Sequence, residues 1–245
     1  MSFHQTLPRR RPNLRQRGFT LVELSLVMLV IGLLLGAVAV GRDLQRTAAH
    51  QRLSSDFVQG WQLAYEAYLN GVGRPPGDSA TSPVGQINGA LPGRTVLCGE
   101  ILLNAFLAAG VQLPQGRAAG QADRYAYLDS KGNPQEVQVC FQNVDWAEPG
   151  ATVNSFVSRP RNVMVLSGTT YSLVSLLDQQ IDGRSDARFG RLREQIAANI
   201  TTAPTAAGSD QAWSIDERDQ YGTTNQRAFD EDQVAVTVAY LQMTR

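Results

Sequence analysis

The chain has 245 residues, 43% of them hydrophobic and 18% charged, which excludes a disordered polymer and suffices for one globular domain plus an additional element. Its formal net charge is zero, but the charge is unevenly placed: five arginines (Arg9, Arg10, Arg11, Arg15, Arg17) and no acid lie in residues 1–18. The remaining 17 basic residues face 22 acids, so a basic leader precedes an acidic body, and that body shows no basic stripe for nucleic acid.

Residues 19–40, FTLVELSLVMLVIGLLLGAVAV, form a 22-residue apolar run with Glu23 as its one charged member. As a helix it spans about 33 Å, enough for a bilayer core of about 30 Å. The arginine-rich flank predicts a single pass with a cytoplasmic N-terminus and an exported body. No small-residue cleavage site of the secretory type follows the run, so the simplest reading is a retained anchor. Gly32-Leu33-Leu34-Leu35-Gly36 is a G-x-x-x-G pattern that permits close approach of a second apolar helix. A carboxylate in such a segment costs a few kcal/mol, so Glu23 either has a partner or reaches the headgroups one turn from the helix start.

Beyond the apolar run, Leu44, Ala48, Leu53, Phe57, Trp61, Ala64, Tyr65 and Tyr68 recur at mostly three- to five-residue spacing. That is an amphipathic continuation of the same helix over residues 43–70, with its apolar stripe facing a core. Asn70-Gly71 and the following Gly73-Arg74-Pro75-Pro76-Gly77 end it.

Residues 71–245 read as a mixed α/β head. A short helix is expected over 101–109. Strands are expected over 124–128 and 136–141, joined by a hairpin turn at Asp129-Ser130-Lys131-Gly132-Asn133-Pro134. Residues 162–166 predict a further strand, 172–181 a helix and 234–241 a terminal strand. Between 201 and 233, a stretch rich in Thr, Ala, Gly, Asp and Gln predicts a long irregular excursion. Cys98 and Cys140 both fall in the exported part, where an oxidising compartment favours one disulfide over two buried thiols.

The inventory speaks against an enzyme. After residue 18 there is one histidine, His50, and no H-x-x-x-H, C-x-x-C, haem-attachment or phosphate-loop motif. The acidic series Asp178, Asp182 and Asp186 offers oxygen ligands suited to Ca²⁺, but without EF-hand spacing; carboxylates on a helix surface ending in a glycine cap are the simpler explanation. No other cofactor is indicated.

The string Arg17-Gly18-Phe19-Thr20-Leu21-Val22-Glu23-Leu24 closely resembles the N-terminal signal of type IV prepilins and pseudopilins. The resemblance covers roughly residues 15–45. It implies cleavage after Gly18 by prepilin peptidase, N-methylation of Phe19, and retention of the helix over residues 19–42. It makes Glu23 the assembly residue, paired with the Phe19 amine of a neighbouring subunit, and Gly32 and Gly36 part of a helix-packing face. Many pilins carry a proline near the end of this helix, and here none occurs between Phe19 and Asn70.

The fold it implies is α+β: a long N-terminal helix, transmembrane in its first half, packed on an antiparallel-sheet head with insertions. The expected role is that of a minor subunit of a type IV pilus or related fibre, in adhesion, motility or DNA uptake. The other readings are a type II secretion pseudopilin and a membrane-anchored binding protein that does not polymerise. The implied partners are other pilin-like subunits, the peptidase, an inner-membrane assembly platform and the bilayer. The implied location is the bacterial inner membrane and then a periplasmic or cell-surface filament.

Overall fold

The structure, a computed structural model, describes residues 19–89, 93–117, 121–129, 132–203, 213 and 236–244. Gly18 and the leader arginines, Ser130 and Lys131 of the hairpin turn, the run Asp230-Glu231-Asp232, Val234, and all of the 204–235 excursion except Trp213 lie outside them. The chain divides into two compact units between Gln45 and Arg46.

The first unit holds most of helix α1, Leu21–Arg52. Its window Leu21–Val38 contains no buried residue, and it is the one helix among the described residues long and apolar enough to cross a membrane. Leucine, valine and isoleucine on every side of a helix are stable only where lipid or other helices replace water.

The second unit begins with the last turns of α1. They run into a π-helical segment, Leu53–Val58, and then α2, Gln59–Val72, with Arg52, Val58 and Gln59 at the junctions all in right-handed helical geometry. The helix therefore continues unbroken, as the apolar spacing implied, but with one widened segment that periodicity could not reveal. Leu53, Phe57, Trp61, Ala64, Tyr65 and Tyr68 of the anticipated stripe are buried, whereas Leu44 and Ala48 are exposed. The helix ends two residues later than expected. Gly71 remains helical, and Gly73, at φ 78°, takes the left-handed position and donates its N–H to Leu69 O at 2.8 Å.

The head contains α3 (Gly99–Ala108), β1 (Arg124–Leu128), β2 (Pro134–Pro149), β3 (Phe156–Thr170), α4 (Tyr171–Asp182), β4 (Leu192–Glu194) and β5 (Val236–Gln242). All neighbours in the sheet are antiparallel, in the order β1-β2-β3-β5-β4. The fold class is thus α+β, as anticipated. The expected strands at 136–141 and 162–166 are only the apolar centres of β2 and β3. The ladder between them extends to Pro149↔Phe156 through Asn143, Asp145, Glu148, Arg159 and Pro160, residues that weaken a strand signal. Three-residue β4 is too short to leave a periodic pattern.

Strand alternation divides the core. Val137, Val139 and Phe141 of β2 and Met164 and Leu166 of β3 pack with the helices. There Tyr65 stacks on Phe141 at 5.3 Å, while Trp61 meets Phe106 and Phe141 at 5.6 and 6.1 Å. On the opposite face Cys140, Trp146, Val163, Val165, Ala198 and Tyr240 form a smaller cluster.

Candidate functional site

The start of α1 is organised by two polar residues. The Thr20 backbone N–H and hydroxyl both donate to Glu23 Oε2 at 2.9 Å, and the Glu23 N–H donates to Thr20 Oγ1 at 3.2 Å. This is a capping box, threonine before the first helical turn and glutamate three residues on, and it satisfies two of the amides a helix start leaves without partners. The T-x-x-E spacing was present in the sequence, yet Thr20 had no assigned role there. Phe19, just before it, is 88% exposed. Further along, Gly32 and Gly36 have open space where a Cβ would stand, so the apolar surface is indented at both.

In the head, Cys98 and Cys140 are joined by a disulfide with Cα atoms 4.6 Å apart. Cys98 also sits at the N-terminal cap position of α3, so the bond ties the start of that helix to the middle of β2.

The Asp178 and Asp182 carboxyls lie close enough to interact, and each of the three carboxylates accepts backbone N–H groups of the segment that follows α4. Asp178 Oδ2 accepts from Asp186 N–H at 2.6 Å and from the Trp213 indole at 2.8 Å. Asp182 Oδ2 accepts from the N–H groups of Arg191 and Leu192 at 2.8 and 2.9 Å. Asp186 Oδ1 accepts from Arg188 and Phe189 N–H, both at 3.1 Å. Among the described residues no group of three His, Cys, Asp or Glu side chains is arranged to hold a metal. The sites therefore act as loop braces, and burial pushes the Asp178 carboxyl up to about 6, with Asp182 adding to the rise.

His50 lies in the second unit, buried, with Nε2 3.2 Å from Leu128 O and its ring edge-on to Tyr127 at 5.8 Å. Burial pulls its pKa down, against the Leu128 contact that raises it. Its contacts among the described residues are a backbone carbonyl and an aromatic ring, so its position reads as packing.

The described residues thus comprise an exposed apolar helix with a self-capped glutamate at its start and an α+β head braced by a disulfide. Residues 13–39 match the family model described as the prokaryotic N-terminal methylation motif. The chain carries, in other words, the type IV pilin and pseudopilin signal, and the match contains Gly18, Phe19, Glu23, Gly32 and Gly36. The motif indicates a structural subunit rather than an enzyme. It implies processing by prepilin peptidase and assembly with other pilin subunits, and with the apolar helix it supports anchoring in the membrane. No curated protein and no solved structure matches the chain.

Proposed function

We propose that this protein is a minor subunit of a type IV pilus or related filament, cut after Gly18, methylated on Phe19 and polymerised through its N-terminal helix. The single observation that carries the reading is Glu23. It is the lone carboxylate of the apolar run 19–40 and is the fifth residue counting Phe19 as the first, where an ion pair with a neighbour's terminal amine sets the axial stagger of packed helices. Gly32 and Gly36 give those helices a face for close approach.

The minor role rests on the head. Residues 19–245 include a long β2–β3 hairpin and the excursion after β4, additions more readily accommodated at a filament tip or at low stoichiometry than in a repeating shaft. In the membrane the subunit passes once, N-terminus in the cytoplasm, and its partners are the peptidase, the assembly platform of the inner membrane, the bilayer and other subunits. The reading calls for no cofactor.

Mass spectrometry of the mature N-terminus tests processing: a methylated Phe19 supports it, and a chain retaining residues before Phe19 sinks it. Filament assembly is tested by shearing. Recovery of the protein in the sheared fibre fraction supports the pilus reading. Recovery only in membranes, with loss of protein export on gene deletion, makes it a secretion pseudopilin. Recovery only in membranes with export intact makes it a non-polymerising binding protein.

A further inference from the structure

We propose that the head carries a binding groove for a neutral saccharide on the sheet face opposite the helices. The groove is open to solvent, has a volume of about 460 Å³ and is bordered by Arg94, Gln142, Asp145, Gln195, Ile196 and Asn199. Its volume lies within the range of small-ligand sites. Cys140, Gln142 and Val144 alternate onto this face of β2, while Val139 and Phe141 point to the helices, so the groove is separate from the main core.

The chemistry of its lining selects the class of ligand. Arg94 and Asp145 are ion-paired with each other, so the rim presents no uncompensated charge to draw an anion or a cation. The remaining polar groups are mostly amides, which offer donors and acceptors side by side, as a hydroxyl requires of its partners. Gln142 Nε2 donates to Arg94 O at 3.0 Å, which fixes that side chain's orientation. Gln195, hydrogen-bonded to Tyr240, and Asn199 are exposed on the opposite wall.

Ile196 supplies the apolar component. It is 72% exposed in the midst of this polar wall, although Ala197 and Ala198 beside it are buried. With Val144 it gives the C–H face of a pyranose a surface to cover. The wall is held in place before any ligand arrives: Gln195 N–H donates to Val238 O at 2.9 Å, and Ala147 N–H to Ala198 O at 2.8 Å. Preorganisation of this kind lowers the ordering cost of binding.

The inference is independent of filament assembly, so either can fail alone. It is tested on the full mature chain in a detergent without a sugar headgroup, by calorimetry and saturation-transfer NMR with cellobiose, maltose and diacetylchitobiose. At least one disaccharide is expected to bind with a dissociation constant of about 1 mM or tighter. Gln195→Ala and Asn199→Ala, both at exposed positions, are each expected to weaken it about tenfold, and Ile196→Asp to abolish it. Gln51→Ala, outside the groove, is expected to leave it unchanged. Absence of binding to all three sugars overturns the proposal. So does binding that survives the three groove substitutions, or a short neutral peptide that binds where the sugars do not.

Discussion

Thr20 and Glu23 cap each other: the threonine hydroxyl and N–H both reach one carboxylate oxygen, and the threonine oxygen takes the Glu23 N–H in return. A lone subunit thus enters the bilayer with its carboxylate already hydrogen-bonded, which reduces the cost of holding it there. Glu23 remains exposed, so a neighbour's terminal amine can approach its carboxylate without first breaking into a packed core. On the proposed reading, assembly adds a charge partner to a carboxylate that local structure has aimed.

Substitution separates the two roles. Glu23→Ala is expected to leave cleavage after Gly18 intact and to remove the protein from the sheared-filament fraction. Thr20→Ala keeps the charge and loses the aim, so filament yield should fall without vanishing, and Thr20→Ser should restore it. Unchanged filament yield in Glu23→Ala would remove the basis of the polymerisation reading.

The disulfide gives a second prediction, confined to the head. Cys98 and Cys140 are separated by 42 positions, and closing a loop of that size reduces unfolded-state entropy by about 4 kcal/mol in the chain-entropy estimate. The double substitution to serine is expected to lower head stability by about 2–4 kcal/mol in chemical denaturation followed by tryptophan fluorescence. N-terminal processing should be unaffected. A fully reduced wild type that unfolds at the same denaturant concentration as the oxidised protein would count against a stabilising bond.

What the sequence made legible follows from how local each signal is. The apolar run, its charge flank and Glu23 are contiguous, so the membrane segment could be read directly. β1 was read to the residue because Arg124-Tyr125-Ala126-Tyr127-Leu128 alternates and a turn follows it. Its neighbours were read short because their outer halves are held by pairing across the ladder rather than by their own residue types. Asn143 and Asn162 face each other there, and the Asn143 amide donates to Asn162 Oδ1 at 2.9 Å. That oxygen also takes Ile87 N–H at 3.0 Å, and the Asn162 amide donates to Gly85 O at 3.0 Å. These two polar residues thus serve as a clamp for the loop after α2, a role visible only once strand and loop are together. The aspartate series shows the same limitation. Regular spacing favoured helix-surface carboxylates over a ligand set, but where the carboxylates point depends on a loop whose backbone amides carry no sequence signature.

Asp178 and His50 give opposite pH dependences. Burial pushes Asp178 up to about 6 in the fold from its ordinary value of 3.8, so its contribution is fully present below about 3.8 and is lost as pH rises through 6. His50 is depressed below 6.5, so its contribution is present above 6.5 and is lost as pH falls. Between pH 4.5 and 7.5, Asp178→Asn is expected to lose the part of the thermal-stability profile that declines with rising pH. His50→Gln should lose the part that declines with falling pH. Differential scanning calorimetry on each variant and the wild type reads both slopes, and profiles parallel to wild type would show that neither group is linked to folding.

Asp182 and Gly190 provide the sharpest structural test. Gly190 has φ 92°, and a Cβ built there would stand 2.4 Å from Asp182 Oδ2, the oxygen that holds the amides of Arg191 and Leu192. Gly190→Ala therefore combines backbone strain with displacement of the brace, and is expected to destabilise the head by about 2–4 kcal/mol. Asp182→Ala removes the acceptor but relieves the contact, so the double substitution should cost less than the sum of the two. Because one oxygen of each carboxylate is engaged by backbone N–H groups, millimolar calcium or a chelator is expected to leave the thermal midpoint unchanged. A rise in midpoint with calcium that Asp182→Ala abolishes would instead show that the loop can trade its amides for a cation. A tolerant Gly190→Ala would show that the brace between α4 and β4 is looser than its hydrogen bonds indicate.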